Sequence, residues 1–331
     1  MHQTPSEEKL LGNLNAVQRE AVCHGDGPLL IFAGAGSGKT RVLTHRVAYL
    51  IATGKAHPRN ILAVTFTNKA AGEMRERIAA IVGEASRHIW IGTFHAVCAR
   101  ILREAGEAIG VDRDFVVYDD SDQATLVREA LYQLQIDDKK FAPRAILSLI
   151  SRAKERLIPP EEFGTHYQGF VERIAERVYE VYNHKLRLNR ALDFDDLLFY
   201  AVRLFQQRPE ILQRYQERFR YVLVDEYQDV NYAQYVLLTL LAAKHRNLCV
   251  VGDDDQSIYM FRGADVSLIL QFERDYPDAR VVKLEQNYRS TGTILDAAHA
   301  VVSRNRGRKE KRLWTENPRG CPLVVKEADN E

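Results

Sequence analysis

Residues 29–40 read LLIFAGAGSGKT, and the succession of residue types across that stretch decides how the rest of the chain folds. Leu29, Leu30, Ile31 and Phe32 are apolar without interruption, which suits a short strand buried on both faces of a parallel sheet. Ala33, Gly34, Ala35, Gly36, Ser37 and Gly38 then form a loop with almost no side chain, and Lys39 and Thr40 open a helix running through Arg41 to Ala52. This is the phosphate-binding loop pattern, with Ala33 where the strictest form has glycine. Small residues let successive backbone N–H groups face an anion, and the helix N-terminus adds its dipole. Lys39 is placed to reach the β- and γ-phosphates, and the Thr40 hydroxyl to ligate Mg²⁺. The bland alternative is a glycine-rich turn that binds nothing; the lysine, the threonine and both flanking elements weigh against it. The span Ala33–Arg41 is therefore read as the site of a nucleoside triphosphate, ATP, with its Mg²⁺.

The remaining composition constrains the setting. At 331 residues the chain has room for more than one domain and a sizeable core. Its net charge of +1 provides no global basic field, so a polyanion must be gripped locally, by a patch or by stacking. Cys23, Cys98, Cys249 and Cys321 are scattered without a C-x-x-C pair, which fits reduced thiols in a cytoplasmic protein. His95 and Cys98 lie close together but lack partner ligands, so neither is read as a metal residue. The longest apolar run, Val236 to Ala243 broken by Thr239, is too short to span a bilayer, and the polar N-terminus has no apolar signal core.

Short apolar strands recur between helical stretches: Ile61–Phe66, Ile89–Phe94, Tyr221–Glu226, Leu248–Asp253 and Arg280–Glu285. Several end in polar residues, as expected where ligands sit at the carboxyl ends of parallel strands in a doubly wound α/β core. Between Phe94 and Tyr221 the rhythm breaks, with Phe115–Tyr118 the only strand-like run. Helix patterns replace it: one N-capped by Ser121, then Ile146–Lys154, Phe170–Leu188 and Phe194–Phe205. This length reads as a helical subdomain inserted into the α/β core, not a loop. Within it Lys139, Lys140, Arg144, Arg152, Lys154 and Arg156 form a basic band, either a solvated helix face, the commoner meaning, or a phosphate-contacting surface.

A phosphate loop needs a second element to hold the metal and activate water. Val222–Val224 is an apolar strand ending at Asp225-Glu226, and adjacent carboxylates leaving a buried strand are costly without a metal or a reaction to serve. Asp225 fits the Mg²⁺ shell, directly or through water, and Glu226 the general base.

Further words narrow the family: LNxxQ at Leu14–Gln18, TFTNKAAGEM at 65–74, GTFH at 92–95, DEYQD at 225–229, VGDDDQSIYMFRGA at 251–264 and QNYRS at 286–290. In order and spacing these resemble superfamily 1 DNA helicases of the UvrD/PcrA/Rep type, from about Leu14 to Arg312. The resemblance implies a RecA-like P-loop parallel sheet flanked by helices, with an inserted mainly helical subdomain. It places a first RecA-like part at 1–100, the insertion at 101–191, the second RecA-like part at 192–283 and the start of a second RecA-like domain at 284–331. It implies that Gln18 reads adenine, Tyr288 stacks on it, Arg289 contacts the γ-phosphate, and Gln256 senses that phosphate and relays its loss. Lys39, Asp225, Glu226, Gln256 and Arg289 form the implied catalytic set. Phe66, Asn68, His95, Phe194, Tyr259, Phe261 and Arg262 match residues on the single-strand path; relatives often carry tryptophan where Phe261 stands. Aromatics two apart beside an arginine are what single-strand stacking requires. Other meanings stand beside these: Phe66 and Phe94 could be core, with Phe94 read so; Asp193, Asp195 and Asp196 could cap the helix that follows. Asp254 and Asp255 are read as solvated.

After QNYRS only about forty residues follow, too few for a second α/β domain, so the resemblance implies that the remainder of the helicase is needed for hydrolysis. Arg304–Arg312 is read as an exposed basic loop, Ala297–Val302 as a helix and Pro322–Lys326 as a strand. The leading expectation is an ATP-driven single-stranded DNA translocase and helicase, by resemblance 3′ to 5′, acting in repair or replication on single strands or single/double-strand junctions. The alternatives are the motor of a helicase–nuclease, or a non-catalytic module that holds nucleotide and DNA.

Overall fold

A computed structural model of the chain describes residues 10–305 and 308–326. Its strands are β1 (Leu29–Ala33), β2 (Ile61–Thr65), β3 (Trp90–Thr93), β4 (Val116–Val117), β5 (Ala191–Leu192), β6 (Tyr221–Val224), β7 (Leu248–Gly252) and β8 (Arg280–Leu284). Six of them form one parallel sheet in the order β3-β2-β6-β7-β1-β8. The uninterrupted apolar runs follow from burial on both faces. Leu30, Phe32, Leu62, Val64, Val222 and Val224 point into one core. Their neighbours Leu29, Ile31, Ile61, Ala63, Tyr221 and Leu223 point into the other. Alternation along a strand sends successive side chains to opposite faces, so both sets must be apolar.

Helices close both faces. Ala16–Cys23, Lys39–Ala52 and Asn68–Val82 pack in sequence on one side; Phe94–Ala105, Phe194–Gln207 and Tyr232–Ala242 cover the other. Because β1, β7 and β6 are neighbours, the loops after them meet at one end of the sheet, and this juxtaposition builds the site.

Between Phe94–Ala105 and β6 lie helices Asp120–Gln133, Pro143–Glu155 and Phe170–Leu188, which pack a third core of their own around Leu131, Ile150, Tyr179 and Tyr182. The first is N-capped by Asp119, not Ser121: the Asp119 carboxylate accepts from the Ser121 and Asp122 amides, and Asp122 returns the bond in a capping box. The strand read at Phe115–Tyr118 shortens to β4 and pairs parallel with β5, outside the main sheet. No regular strand forms at Pro322–Lys326, and the helix read at Ala297–Val302 begins earlier, at Gly292.

The basic band also needs correction, because Lys154 is not on its surface. It is 1% exposed, with Nζ 2.6 Å from Asp193 Oδ2 and 2.7 Å from Asp196 Oδ1, and the Tyr182 hydroxyl donates to Asp193 at 2.8 Å. Asp193 caps Phe194–Gln207 as expected, in a capping box with Asp196. Burial opposes the lysine's charge, but Asp193 and then Asp196 outweigh it and hold its pKa well above the ordinary range. The cluster ties the helical segment to a helix of the sheet core. Removing one partner of a buried pair leaves the other charge uncompensated. Lys154→Met is therefore expected to lower stability at pH 8 by about 3–5 kcal/mol in urea unfolding; a loss near zero would contradict this placement.

Candidate nucleotide site and strand-contacting edge

The loop after β1 takes the shape its residues dictate. Gly36 and Gly38 have φ of +68° and +92°, a left-handed backbone that side chains disfavour. Ser37 folds back, its Oγ donating to Gly34 O at 2.7 Å. Among the described residues the N–H groups of Ala35, Gly36 and Gly38 donate to no protein acceptor, so the loop has donors left for an anion. Lys39 begins the helix and places Nζ 2.9 Å from Glu226 Oε2.

Glu226 reaches the lysine from a strained backbone, at φ +52° just beyond β6. Asp225 is 4% exposed, donates its amide to Val64 O at 3.0 Å, and its carboxylate accepts from the Thr40 hydroxyl and from Glu226 N. Thr40, from the first turn of its helix, and Asp225, just beyond β6, thus converge, as a hard, oxygen-seeking divalent cation requires. Burial, then the neighbouring Glu226, pushes the Asp225 carboxyl up to about 6. Burial, then Glu226, likewise raises Asp229 to about 6. With the spare donors of the loop, this donor set fits a magnesium nucleotide.

Segment 286–290 closes over the loop. Asn287 is buried, donates Nδ2 to Ala35 O at 2.5 Å, and accepts at Oδ1 from Arg289 N and Ser290 N. Tyr288 donates its amide to Gly36 O and leaves its ring half exposed, the hydroxyl bonded to Gln286 and Asn15. The exposed Arg289 has its Cβ where a Cβ on Gly36 would meet it. Gln18 is placed differently from the expectation of an amide open to a base. It is buried, with Nε2 on Ser37 O at 3.0 Å and Oε1 accepting from Asn15 N within a capping box, so it braces the loop. Arg41 is exposed on the first turn of its helix.

Gln256 stands one strand away, donating Nε2 to Asp253 Oδ2. Sequence reasoning missed the residue joining these loops. Gln228 accepts at Oε1 from Asp253 N, 3.0 Å, and donates Nε2 to Glu226 Oε2, 2.9 Å. Its place inside DEYQD was its only signal. Asp254 and Asp255 are not solvated: Lys311 and Arg308 cover them, so the basic run read as exposed is partly folded onto the protein.

The aromatic residues lie at the same end of the sheet. Phe66 follows β2 and packs edge-on against buried Phe94, centroids 5.5 Å apart. Asn68 is exposed at the start of the next helix. His95 contacts half-exposed Phe194 edge-on at 5.9 Å, and burial lowers its pKa, favouring the neutral ring. Tyr259 and Phe261 sit 6.1 Å apart on a turn, Phe261 at 78% exposed. An exposed aromatic ring of this size is an unusual use of apolar surface. The Arg262 side chain lies outside the described residues.

A family model described as the UvrD/REP helicase N-terminal domain matches residues 14–277. The ATP-dependent DNA helicase PcrA of Bacillus subtilis is 53% identical over 323 residues, 98% of this chain. PcrA of Staphylococcus aureus is 50% identical over 322 residues, and that of Staphylococcus epidermidis 51%. In each case the chain spans 44% of the relative's length. No helix among the described residues is long and apolar enough to cross a membrane.

The Asp225 environment makes a pH-dependent prediction. A carboxyl raised to about 6 binds its proton more tightly folded than unfolded, so its contribution is greatest below about pH 4 and is lost as pH rises through about 6. Without nucleotide, Asp225→Asn is expected to stabilise the chain by about 1–3 kcal/mol at pH 8 and by much less at pH 5, read from urea midpoints. Equal effects at the two pH values would contradict the stated cause.

Proposed function

Because the chain belongs to the UvrD/REP helicase family, we propose that it carries the nucleotide site and part of the strand-contacting edge of an ATP-driven single-stranded DNA translocase and helicase. The observation that carries the proposal is the continuous bonded path from Lys39 through Glu226 and Gln228 to Asp253 and Gln256, a few residues before the exposed Tyr259–Phe261 turn.

When bound, magnesium nucleotide supplies the phosphoryl group passed to water, with the ion offsetting charge on the β- and γ-oxygens. The chain's own residues do the rest. Ala33–Gly38 cradle the anion with backbone donors, Thr40 and Asp225 hold the ion, and Tyr288 offers its ring to the base. Lys39 is ion-paired with Glu226, so each offsets the other's charge. Lys39 would turn from Glu226 to an anion in the cradle, and the freed Glu226 carboxylate would accept a proton from water. Arg289, tethered beside Gly36, adds charge stabilisation, a role worth about 10³–10⁵ in rate where it occurs. Gln18 braces the loop and exposes an amide to the base only by giving up an internal bond. Gln256, held by Asp253, passes the change to Tyr259 and Phe261, which grip and release bases together with Phe66, Asn68, His95, Phe194 and Arg262. Direction of travel, 3′ to 5′, and a role in repair or replication belong to the same proposal.

Lys39→Ala is expected to abolish nucleotide hydrolysis in the complete protein while leaving oligonucleotide binding within about threefold, because the strand edge is separate from the cradle. Phosphate release at the wild-type rate would overturn the site. Phe261→Ala is expected to weaken oligothymidylate binding by about 1–2 kcal/mol in a fluorescence anisotropy titration, the cost of losing one stacking platform. Unchanged affinity would remove that turn from the strand path.

A further inference from the structure

The run Arg308–Trp314 is laid across three parts of the site at once. At one end, Trp314 N donates to Glu285 O at 3.0 Å and Asn287 N to Trp314 O at 2.8 Å, joining the run to the segment that bears Tyr288 and Arg289. Next to it, Leu313 fills the space above Gly34, where an added Cβ would meet the leucine's Cγ, Cδ1 and Cδ2, so this close seat suits glycine. On the other side, Arg308 forms a two-pronged ion pair with Asp255, at 2.9 and 2.7 Å.

Lys311 is the centre of this arrangement. Asp253, Asp254 and Asp255 each offer an oxygen within 4.8 Å of the others, a donor set that resembles a cation site. The cation already there is the lysine: Nζ is 2.8 Å from Asp253 Oδ1 and 2.8 Å from Asp255 Oδ2, and is bonded to Asp254 Oδ1 as well. Lys311 is 5% exposed, so the attraction of its ammonium to these carboxylates is weakly screened. Asp253 is shared. Its Oδ1 meets Lys311 while its Oδ2 takes Nε2 of Gln256, and its amide donates to Gln228. Without the lysine, three consecutive carboxylates repel one another, and rotation of Asp253 away from its neighbours releases Gln256.

We infer that the strap Arg308–Trp314 positions Gln256, with Lys311 as its pin, so that the phosphate loop under Leu313 and the turn bearing Tyr259 and Phe261 respond as one unit. This rests on the proposed translocase reading only for its consequence. The local claim, that Lys311 orders the turn at 253–262, stands separately. Lys311 is a positioning residue: it touches neither the phosphate loop nor the aromatic rings and acts through Asp253.

The experiment compares wild type, Lys311→Met (stem kept, charge removed) and Lys311→Arg in the full chain. One arm measures oligothymidylate affinity with ADP and with a non-hydrolysable ATP analogue; the other measures hydrogen exchange at Asp255 and Gln256. For Lys311→Met, the ratio of the two oligonucleotide affinities is expected to fall at least about fivefold towards unity, with nucleotide affinity itself within about threefold. Exchange at the two amides is expected to accelerate at least about tenfold while β1 and β6 stay protected. Lys311→Arg should retain most of the wild-type ratio, a rescue that general destabilisation would not give. A wild-type ratio and unchanged exchange in Lys311→Met would overturn the inference. If wild type itself shows no nucleotide-dependent ratio, the translocase reading fails, and exchange alone decides for or against the strap. Should Lys311→Met not fold, Arg308→Gln is expected to speed the same exchange about two- to fivefold, and no change there would overturn the inference.

Discussion

The side-chain amide of Gln228 is the joint on which the site depends. It spans the carboxyl ends of β6 and β7, taking the amide hydrogen of Asp253 on one side and giving its own to Glu226 on the other. The fit leaves no spare room, since a Cβ on Gly252 would lie 2.8 Å from Gln228 Oε1 and 3.2 Å from the Gln228 backbone nitrogen. Both ends of the amide are satisfied and buried, so rotation would cost two hydrogen bonds in a medium where unpaired groups are expensive. Glu226 and Asp253 are therefore held in fixed relation, and whatever displaces one is felt by the other.

Around that joint the protein tolerates arrangements that stability alone would not select. Glu226 occupies a left-handed backbone, and Asp225 and Asp229 beside it are both raised, by burial first and then by the Glu226 charge. Lys39 relieves part of the repulsion. Such strain clustered at one end of a well-packed sheet marks a place where charge is meant to be exchanged. The ion cluster of Lys154 is a different use of buried charge. Its partners are complete and it faces no cradle, so it acts as a rigid weld between the helical segment and the sheet core.

Much of this was legible in the residues because the signals were local. The phosphate loop, the bounds of the helix Lys39–Ala52 and the main-sheet strands followed from apolar runs and glycine placement, with errors of a residue or so at strand ends. What escaped was set by long-range contact. Ser121 reads as the cap of a helix beginning just after it, but the chain turns earlier and Asp119 receives the helix amides. Lys154 belonged by composition to a basic band, and only folding brings it to Asp193 and Asp196, far along the chain. Asp254 and Asp255 read as solvated because their cations, Arg308 and Lys311, lie some fifty residues on. The strand read at Pro322–Lys326 had the right side chains, but the segment pairs with no strand among the described residues.

On the proposed function, an anion at the cradle and a strand at the aromatic edge are felt by one another through the amide of Gln228. Steady-state hydrolysis of nucleotide by the complete protein, followed as single-stranded oligonucleotide is added, tests this directly. The account predicts a rate that climbs and saturates with oligonucleotide in wild type, and stays flat when Gln228 is replaced by leucine. Turnover indifferent to the oligonucleotide in wild type, or equally stimulated in Gln228→Leu, would contradict it.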